Sequence, residues 1–314
     1  MTTARLGWAD LPVQVREQVA AVLGAGPEGF EPAIGGFSAG GVVGTVFDDG
    51  GRSLFIKCVP AHHAAAPDYR VEAQFLRALP SPLPFAALRL FLDELGWVVL
   101  GLDALQGTVP QEPWERRDLA AALATLSFTT DLLTPAPVVN APTLGDRMRG
   151  RCHTWGQLQA TGRAGALSRD DLRGWERAHL RRLAEHEARW AAAVTGSTLL
   201  HFDLRHDNCL VTPQGDVVFI DWGRACVGPP WVDLVCLLLL SDIGEVRPWE
   251  VFDDHPVGVA ADAEQVDAFL VALASYWRSS AAGPSAAGAP HLRRRRVRSR
   301  DWTLDWLESR WGRS

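Results

Sequence analysis

The sequence predicts an α+β fold, with a small antiparallel-sheet region at the N-terminus followed by a larger, mainly helical region. Three observations predict it. From residue 34 to 102, apolar and β-branched runs of strand length alternate with turns rich in Gly and Asp. Beyond residue 114, apolar residues recur instead at helical spacing. Between the two patterns lies 107–113, with one Gly and two Pro, the best linker candidate in the chain. The expected division is therefore 1–106 and 107–314.

Residues 10–23 read as an opening helix, with Asp10 as N-cap, Pro12 in the first turn and Val15, Val19, Val22 and Leu23 as the apolar stripe. Residues 24–27 end it. The stretch 35–47 is a glycine-rich turn running into a β-branched strand. Its spacing matches neither a P-loop nor a dinucleotide fingerprint, so alone it reads equally as a plain hairpin or as a cover over phosphate. After a turn at 48–51, residues 53–59 form a second strand carrying Lys57. A lone strand lysine is ordinarily solvated, but Phe55, Ile56, Cys58 and Val59 around it favour an inward side chain. A helix over 68–79 follows, with Val71, Phe75, Leu76 and Leu79 on one face. Glu72 lies beside that stripe, either reaching inward towards Lys57 or resting on the surface. Strands at 87–92 and 97–102 complete this region.

The helical part begins with 114–126, where Leu119, Leu123 and Leu126 share a face. A long helix over 168–194 opens with Ser168-x-x-Asp171, and Leu172, Trp175, Leu183, His186, Trp190 and Val194 read as its core face rather than as a site. Residues 231–240 are apolar all round, 266–277 form another helix, 281–290 read as a linker and 293–311 as a final amphipathic helix.

A hydrophobic content of 47% and a mean hydropathy near zero exclude general disorder and allow a sizeable core. No apolar run approaches the ~20 residues needed to cross a bilayer, and no basic-then-apolar segment opens the chain. The expectation is a cytoplasmic protein with no membrane partner. Five scattered cysteines (Cys58, Cys152, Cys209, Cys226, Cys236) form no C-x-x-C pair and read as reduced, packed thiols. The net charge of −6 is unevenly placed. Residues 291–300 hold six arginines and no acid, whereas 242–267 hold eight acids against Arg247. A charge run is ordinarily a solvated face. The arginine run has neither aromatic-interleaved strands nor zinc spacing behind it, so no nucleic-acid partner is expected.

The densest chemistry lies in 199–233. Apolar pieces at 209–212 and 217–220 flank Pro-Gln-Gly at 213–215, which is hairpin-turn chemistry. An antiparallel hairpin brings its open ends together, so Asn208 and Asp221 can meet although 13 positions apart (221 − 208). One carboxylate and one amide oxygen make a hard ligand pair suited to Mg²⁺ on a phosphate chain.

His201-Phe-Asp203, with Asn208 five residues after Asp203, followed by Ile220-Asp221-Trp222, resembles the signature of aminoglycoside phosphotransferases and choline-kinase-like small-molecule kinases. The earlier pieces fall in the same order, so the resemblance covers about 34 to 240. It implies a two-lobed, protein-kinase-like fold: 1–106 as the nucleotide-binding lobe, 107–314 as the helical lobe with catalytic loop, metal site and acceptor site. It implies ATP or GTP with Mg²⁺, and phosphoryl transfer to a hydroxyl of a small molecule. Asp203 would accept or orient the proton of the attacking hydroxyl, and Asn208 and Asp221 would hold Mg²⁺. Lys57 would contact the α/β-phosphates and Glu72 would fix Lys57. The turn at 35–41, with Gly36, Phe37 and Ser38, would lie over the triphosphate. The hinge at 102–105, with Asp103 and Leu105, would take the adenine edge. His201 and Asp233 would brace the loop. Arg205 and His206 depart from the His and Pro-Gly that relatives often carry, leaving the quoted motif residues in place.

Two competing readings are weaker. A regulator without catalysis is opposed by the intact Lys57, Asp203, Asn208 and Asp221. A protein kinase is opposed by the lack of an Asp-Phe-Gly to Ala-Pro-Glu segment, because the chain reaches Pro229-Pro230-Trp231 within ten residues of Asp221. The acidic block would suit a cationic amino-sugar and the basic run an anionic acceptor, but the end at 311–314 lacks the acidity expected of a cap over aminoglycosides. The expected acceptor is a hydroxylated small molecule, an antibiotic or a biosynthetic intermediate.

Overall fold

The computed structural model describes residues 6–24, 26–33, 40–80, 84–282 and 290–312. The chain forms two compact units: Met1–Val109 with Asp207–Ala225, and Pro110–His206 with Cys226–Ser314. The first change of unit falls inside the linker segment, but the first unit also takes back a later piece that sequence patterning assigned to the second.

In the first unit, α1 (Val13–Leu23) precedes strands β1 (Gly29–Pro32), β2 (Val42–Phe47) and β3 (Ser53–Pro60), helix α2 (Ala66–Ala78), and strands β4 (Leu88–Glu94) and β5 (Trp97–Asp103). The strands form one antiparallel sheet in the order β1-β2-β3-β5-β4. Val15, Val19 and Leu23 of α1 pack with Val42, Ile56, Cys58 and Val99, so alternation turns Lys57 to the opposite face. Lys57 lies on β3, which has β2 and β5 on its two sides, paired to Val43 and Leu100. Two expectations need correcting. Asp10 closes the short turn Trp8–Asp10 by accepting from Gly7 N at 2.7 Å, and Pro12 takes the N-cap of α1. Val22 is exposed rather than part of the stripe. Strand β1, with its Glu and Pro, carried no strand pattern in the sequence.

The returning piece is a hairpin of Cys209–Val211 on Val217–Phe219, with Gly215 at φ 90° in the turn, followed by the turn Trp222–Arg224. It belongs to this unit for two reasons. Thr108 and Val211 exchange N–H···O bonds of 3.0 and 2.8 Å, and Trp222–Arg224 packs against α2.

The second unit contains α3 (Arg116–Leu132), α4 (Leu144–Met148), α5 (Thr154–Thr161), α6 (Gly174–Ala193), α7 (Trp231–Leu240), α8 (Pro248–Asp254), α9 (Pro256–Val259), α10 (Ala263–Ala282) and α11 (Pro290–Gly312). Its core is built where α10 packs against α6 and α11, with α7 buried on nearly every face. Glu176 and Arg278 form a buried ion pair between α6 and α10. His186 and Trp190 are buried on α6, and Trp175 stacks on His179 at 4.7 Å. The Ser168/Asp171 box is present but closes the short turn Arg169–Asp171, and α6 begins only at Gly174. Thr198–Leu200 pairs with Cys226–Gly228, framing the two ends of the segment lent to the first unit.

Candidate active site

Within the first unit, Lys57 meets the helix glutamate. Its Nζ lies 2.8 Å from both carboxylate oxygens of Glu72 and 3.1 Å from Oδ1 of Asp221. Lys57 and Glu72 are buried, whereas the Asp221 side chain is 48% exposed. Burial alone would push the Lys57 pKa down, but the charges of Asp221 and Glu72 outweigh it and raise it above the usual lysine value. Burial pushes Glu72 up to about 7, against the opposing pull of Lys57. Lys57 is thus a permanently charged donor with one fixed partner and one solvent-facing partner. Tyr69 adds its ring face, 5.7 Å from Nζ, a contact that no sequence motif signalled.

The hairpin closes as its pattern predicts. Ile220 N donates to the Asn208 carbonyl at 2.9 Å, tying together the ends that carry Asn208 and Asp221. Asn208 is buried, and Asp221 sits in the left-handed region at φ 68°, ψ 64°, which Asp tolerates better than most residues. Asp103 ends β5, where its N–H donates to Ala87 O and its carboxylate takes a bidentate pair of bonds from Arg89. Leu105 is half-buried just beyond β5. Gly36, Phe37 and Ser38 lie outside the described residues.

Within the second unit, the loop carrying Asp203 is tied down from below. Asp233 accepts from His201 N at 2.7 Å and from Phe202 N at 2.8 Å, and His201 Nδ1 accepts from Asp203 N at 3.3 Å. These bonds hold Phe202 at φ 61°, which costs a bulky residue ~1–3 kcal/mol and recurs at functional loops. Burial raises the Asp233 pKa, opposed by His201 and by the two N–H donors. The expected bracing by His201 and Asp233 is therefore backbone pinning. Leu204 is buried, and the Asp203 carboxylate is partly exposed with Arg205 Nη2 at 3.6 Å. A second anchor was not foreseen. Glu112 accepts from Asp242 N at 2.6 Å and Arg298 Nη2 at 3.0 Å, and its Oε1 lies 3.3 Å from His206 Nδ1. Burial would raise its pKa, but His206, the Asp242 N–H and Arg298 together hold it down to about 2.

A two-unit α+β architecture with a strand lysine held by a helix glutamate and a backbone-pinned Asp loop defines the protein-kinase-like class. The family model described as "Phosphotransferase enzyme family" matches residues 45–281. The chain belongs to that family and is a small-molecule phosphotransferase. Similar solved structures include a choline kinase from Streptococcus pneumoniae, with a TM-score of 0.60 and 14% identity over 94% of this chain and 98% of that one. An amicoumacin kinase in complex with AMP-PNP, Ca²⁺ and Ami has a TM-score of 0.54 and 14% identity, covering 93% of this chain and 94% of that one. The AMP-bound complex of a spectinomycin phosphotransferase has a TM-score of 0.55 and 11% identity, covering 94% of both chains. At these identities the likeness is one of fold. No curated protein matches the chain in sequence. Among the described residues, no helix is long and apolar enough to cross a membrane.

Proposed function

We propose that the enzyme transfers the γ-phosphoryl group of ATP, with Mg²⁺, to a hydroxyl of a small molecule. The observation that carries the reading is Lys57, buried and charged between fixed Glu72 and solvent-facing Asp221. A lysine so held is pre-oriented to meet phosphate oxygens, and its helix partner keeps it from wandering. The similar chains solved with AMP-PNP or AMP support an adenine nucleotide.

The donor set fits Mg²⁺. Asn208 and Asp221 offer hard oxygens, and no group of three or more His, Cys, Asp or Glu among the described residues could hold a metal ion. A pair of protein oxygens is what a metal completed by phosphate oxygens and water requires. When bound, Mg²⁺ would neutralise charge on the phosphate chain. Asp203 would accept a hydrogen bond from the acceptor hydroxyl and aim its oxygen at phosphorus. The new O–P bond forms as the bond to the β-phosphate bridging oxygen breaks, ADP leaves, and the proton passes to the Asp203 carboxylate. Positioning and charge neutralisation carry most of such a reaction.

The two charged stretches do not by themselves single out an acceptor. Asp242 pairs with Arg298 of the basic run, Glu264 with Arg189, Glu250 with Arg247, and Asp267 with Arg310. Four of the eight acids of the block, and Arg298 of the basic run, are thus paired inside the unit. This favours a hydroxylated acceptor defined by shape, with antibiotic modification one form of it. The test is ADP release against amino alcohols, hydroxylated antibiotics, aminoglycosides and nucleosides, with Asp203→Asn as the blank. At least one acceptor should turn over, falling ~100-fold or more in Asp203→Asn while Mg-ATP still raises the melting temperature. A melting shift with no turnover above the blank would leave a nucleotide-binding protein, and transfer to proteins alone would make it a protein kinase.

A further inference from the structure

We propose that Glu112 is a positioning residue for phosphoryl transfer, which fixes His206 and, through it, the carboxylate of Asp203. The inference rests on the phosphotransferase reading of Asp203. In the sequence, Glu112 lies between Gln111 and Pro113 and reads as a solvated linker charge. The structure instead draws three separate segments of the second unit onto its Oε1. Asp242 N donates to that oxygen at 2.6 Å and Arg298 Nη2 at 3.0 Å, and His206 Nδ1 lies 3.3 Å away. The Glu112, His206 and Arg298 side chains are only 23%, 24% and 27% exposed.

The partners of Glu112 are themselves held. Arg298 comes from α11, where its Nη1 lies 3.5 Å from Asp242 Oδ2 and its guanidinium stands 5.0 Å from the centre of the Trp302 ring. Asp242 is fixed in turn, because its carbonyl accepts from Trp114 N at 2.8 Å and its Oδ1 from Gly244 N at 3.0 Å. Glu112 also stays ionised over the whole working range, since its pKa is held down to about 2. The carboxylate that faces His206 is therefore charged and fixed in place by two elements far from it in the chain.

The position of the contact along the loop gives it a kinetic consequence. Asp233 pins the loop at His201 and Phe202, upstream of Asp203. His206 is the last residue of the second unit before the chain leaves it at Asp207. Glu112 supplies the downstream anchor, so Asp203 rides on a short span with a fixed point on each side. A carboxylate facing Nδ1 also settles which ring nitrogen carries the proton, and hence how the imidazole points. Loss of that hold frees the loop three positions beyond Asp203 while leaving the upstream pins intact. A displacement of ~1 Å at a positioned group can cost ~100-fold in rate. Substrate contacts made elsewhere persist, so the loss belongs in kcat rather than in KM.

The experiment uses full-length Glu112→Gln, His206→Gln and the two combined, beside Asp203→Asn. Activity is ADP release from Mg-ATP with the best acceptor of the panel. Glu112→Gln should lower kcat at least ~10-fold, with the KM values for acceptor and Mg-ATP within about threefold of wild type. His206→Gln should do the same. Because both variants break one contact, the combined variant should fall no more than about twofold below the lower single one, whereas independent effects would multiply. A smaller loss of kcat in Glu112→Gln, a loss confined to KM, or losses that multiply in the combined variant overturns the proposal. If Glu112→Gln melts too early to assay, His206→Gln decides by the same thresholds, since it leaves the Asp242 and Arg298 bonds to Glu112 in place. Full activity in Asp203→Asn, or a wild type that turns over no acceptor, overturns the phosphotransferase reading of the loop and this inference with it. An inactive Asp203→Asn beside an unimpaired Glu112→Gln overturns the role of Glu112 alone.

Discussion

At the scale of single residues, what the sequence made legible were side chains whose neighbours declare them. Lys57 stood among apolar strand residues and Glu72 beside an apolar helix stripe, and the two meet at 2.8 Å. Asn208 and Asp221 followed from the geometry of a hairpin. Glu112 was not legible, because its partners Asp242 and Arg298 lie 130 and 186 positions away and no local pattern links them. Each group has a measurable consequence. Lys57→Met strands a buried carboxylate and should cost ~3–5 kcal/mol in urea unfolding. Lys57→Met with Glu72→Leu removes both charges and should regain most of that stability, while ADP release stays lost in both variants. For Glu112 the folded pKa lies near 2, below the ordinary 4.5. Its stabilisation is present above pH ~4.5 and drains away as pH falls towards 2, because the unfolded chain takes up the proton first. The melting-temperature gap between wild type and Glu112→Gln should therefore be widest near pH 6 and shrink steadily towards pH 3. A constant gap would mean that Glu112 acts by packing alone.

At the scale of elements, long periodic helices were readable and short ones were not. The apolar stripe of 168–194 and the all-round apolar run of 231–240 gave α6 and α7 nearly whole. α4 and α5 are five and eight residues long, too short to show a period. What holds α5 is remote: Glu187 of α6 accepts from Trp155 N at 3.2 Å and Gly156 N at 2.7 Å, capping its first turn. α11 shows how a charge run misleads. Arg298 turns to Glu112 and Asp242, Arg296 to the Ser280 carbonyl and Arg300 to Asp301, while Leu304, Trp306 and Leu307 are buried. The helix is a structural strap whose arginines largely serve its own unit. Trp306 packs edge-on against Phe252 at 5.3 Å, and its Nε1 has no hydrogen-bond partner. Trp306→Ala should cost ~3–5 kcal/mol by opening a cavity. Trp306→Phe should cost well under half of that, because it also removes a buried donor whose desolvation costs ~1–3 kcal/mol. Chemical denaturation of the two variants separates cavity from polarity.

At the scale of the molecule, the sequence showed where the first unit pauses but not that it resumes. Linker chemistry at 107–113 is local, whereas the return of Asp207–Ala225 depends on pairing across about a hundred residues. That pairing is specific. Thr108 bridges to Val211, a Cβ on Gly107 would sit 2.8 Å from the Val211 carbonyl, and a Cβ on Gly223 would stand 3.3 Å from the Asp68 carbonyl. Cys209, Val217, Phe219, Trp222 and Ala225 are all buried, so the returning piece supplies core as well as the proposed metal ligands. The five-stranded sheet is consequently not a self-sufficient domain, although a boundary read from the linker alone would cut it out as one. A fragment of residues 1–109 exposes the face of α2 that Trp222–Arg224 covers and leaves Lys57 and Glu72 without Asp221. Contacts of such long separation must form before either half is rewarded for ordering, which makes the loss cooperative rather than local. The fragment should therefore show no sharp thermal transition in near-ultraviolet circular dichroism. Joining 207–225 to it through a flexible linker of Gly and Ser should restore one. A cooperative transition in 1–109 alone, unchanged by the added segment, would show that the sheet and its helices carry their own core and that the returning hairpin is only docked upon it.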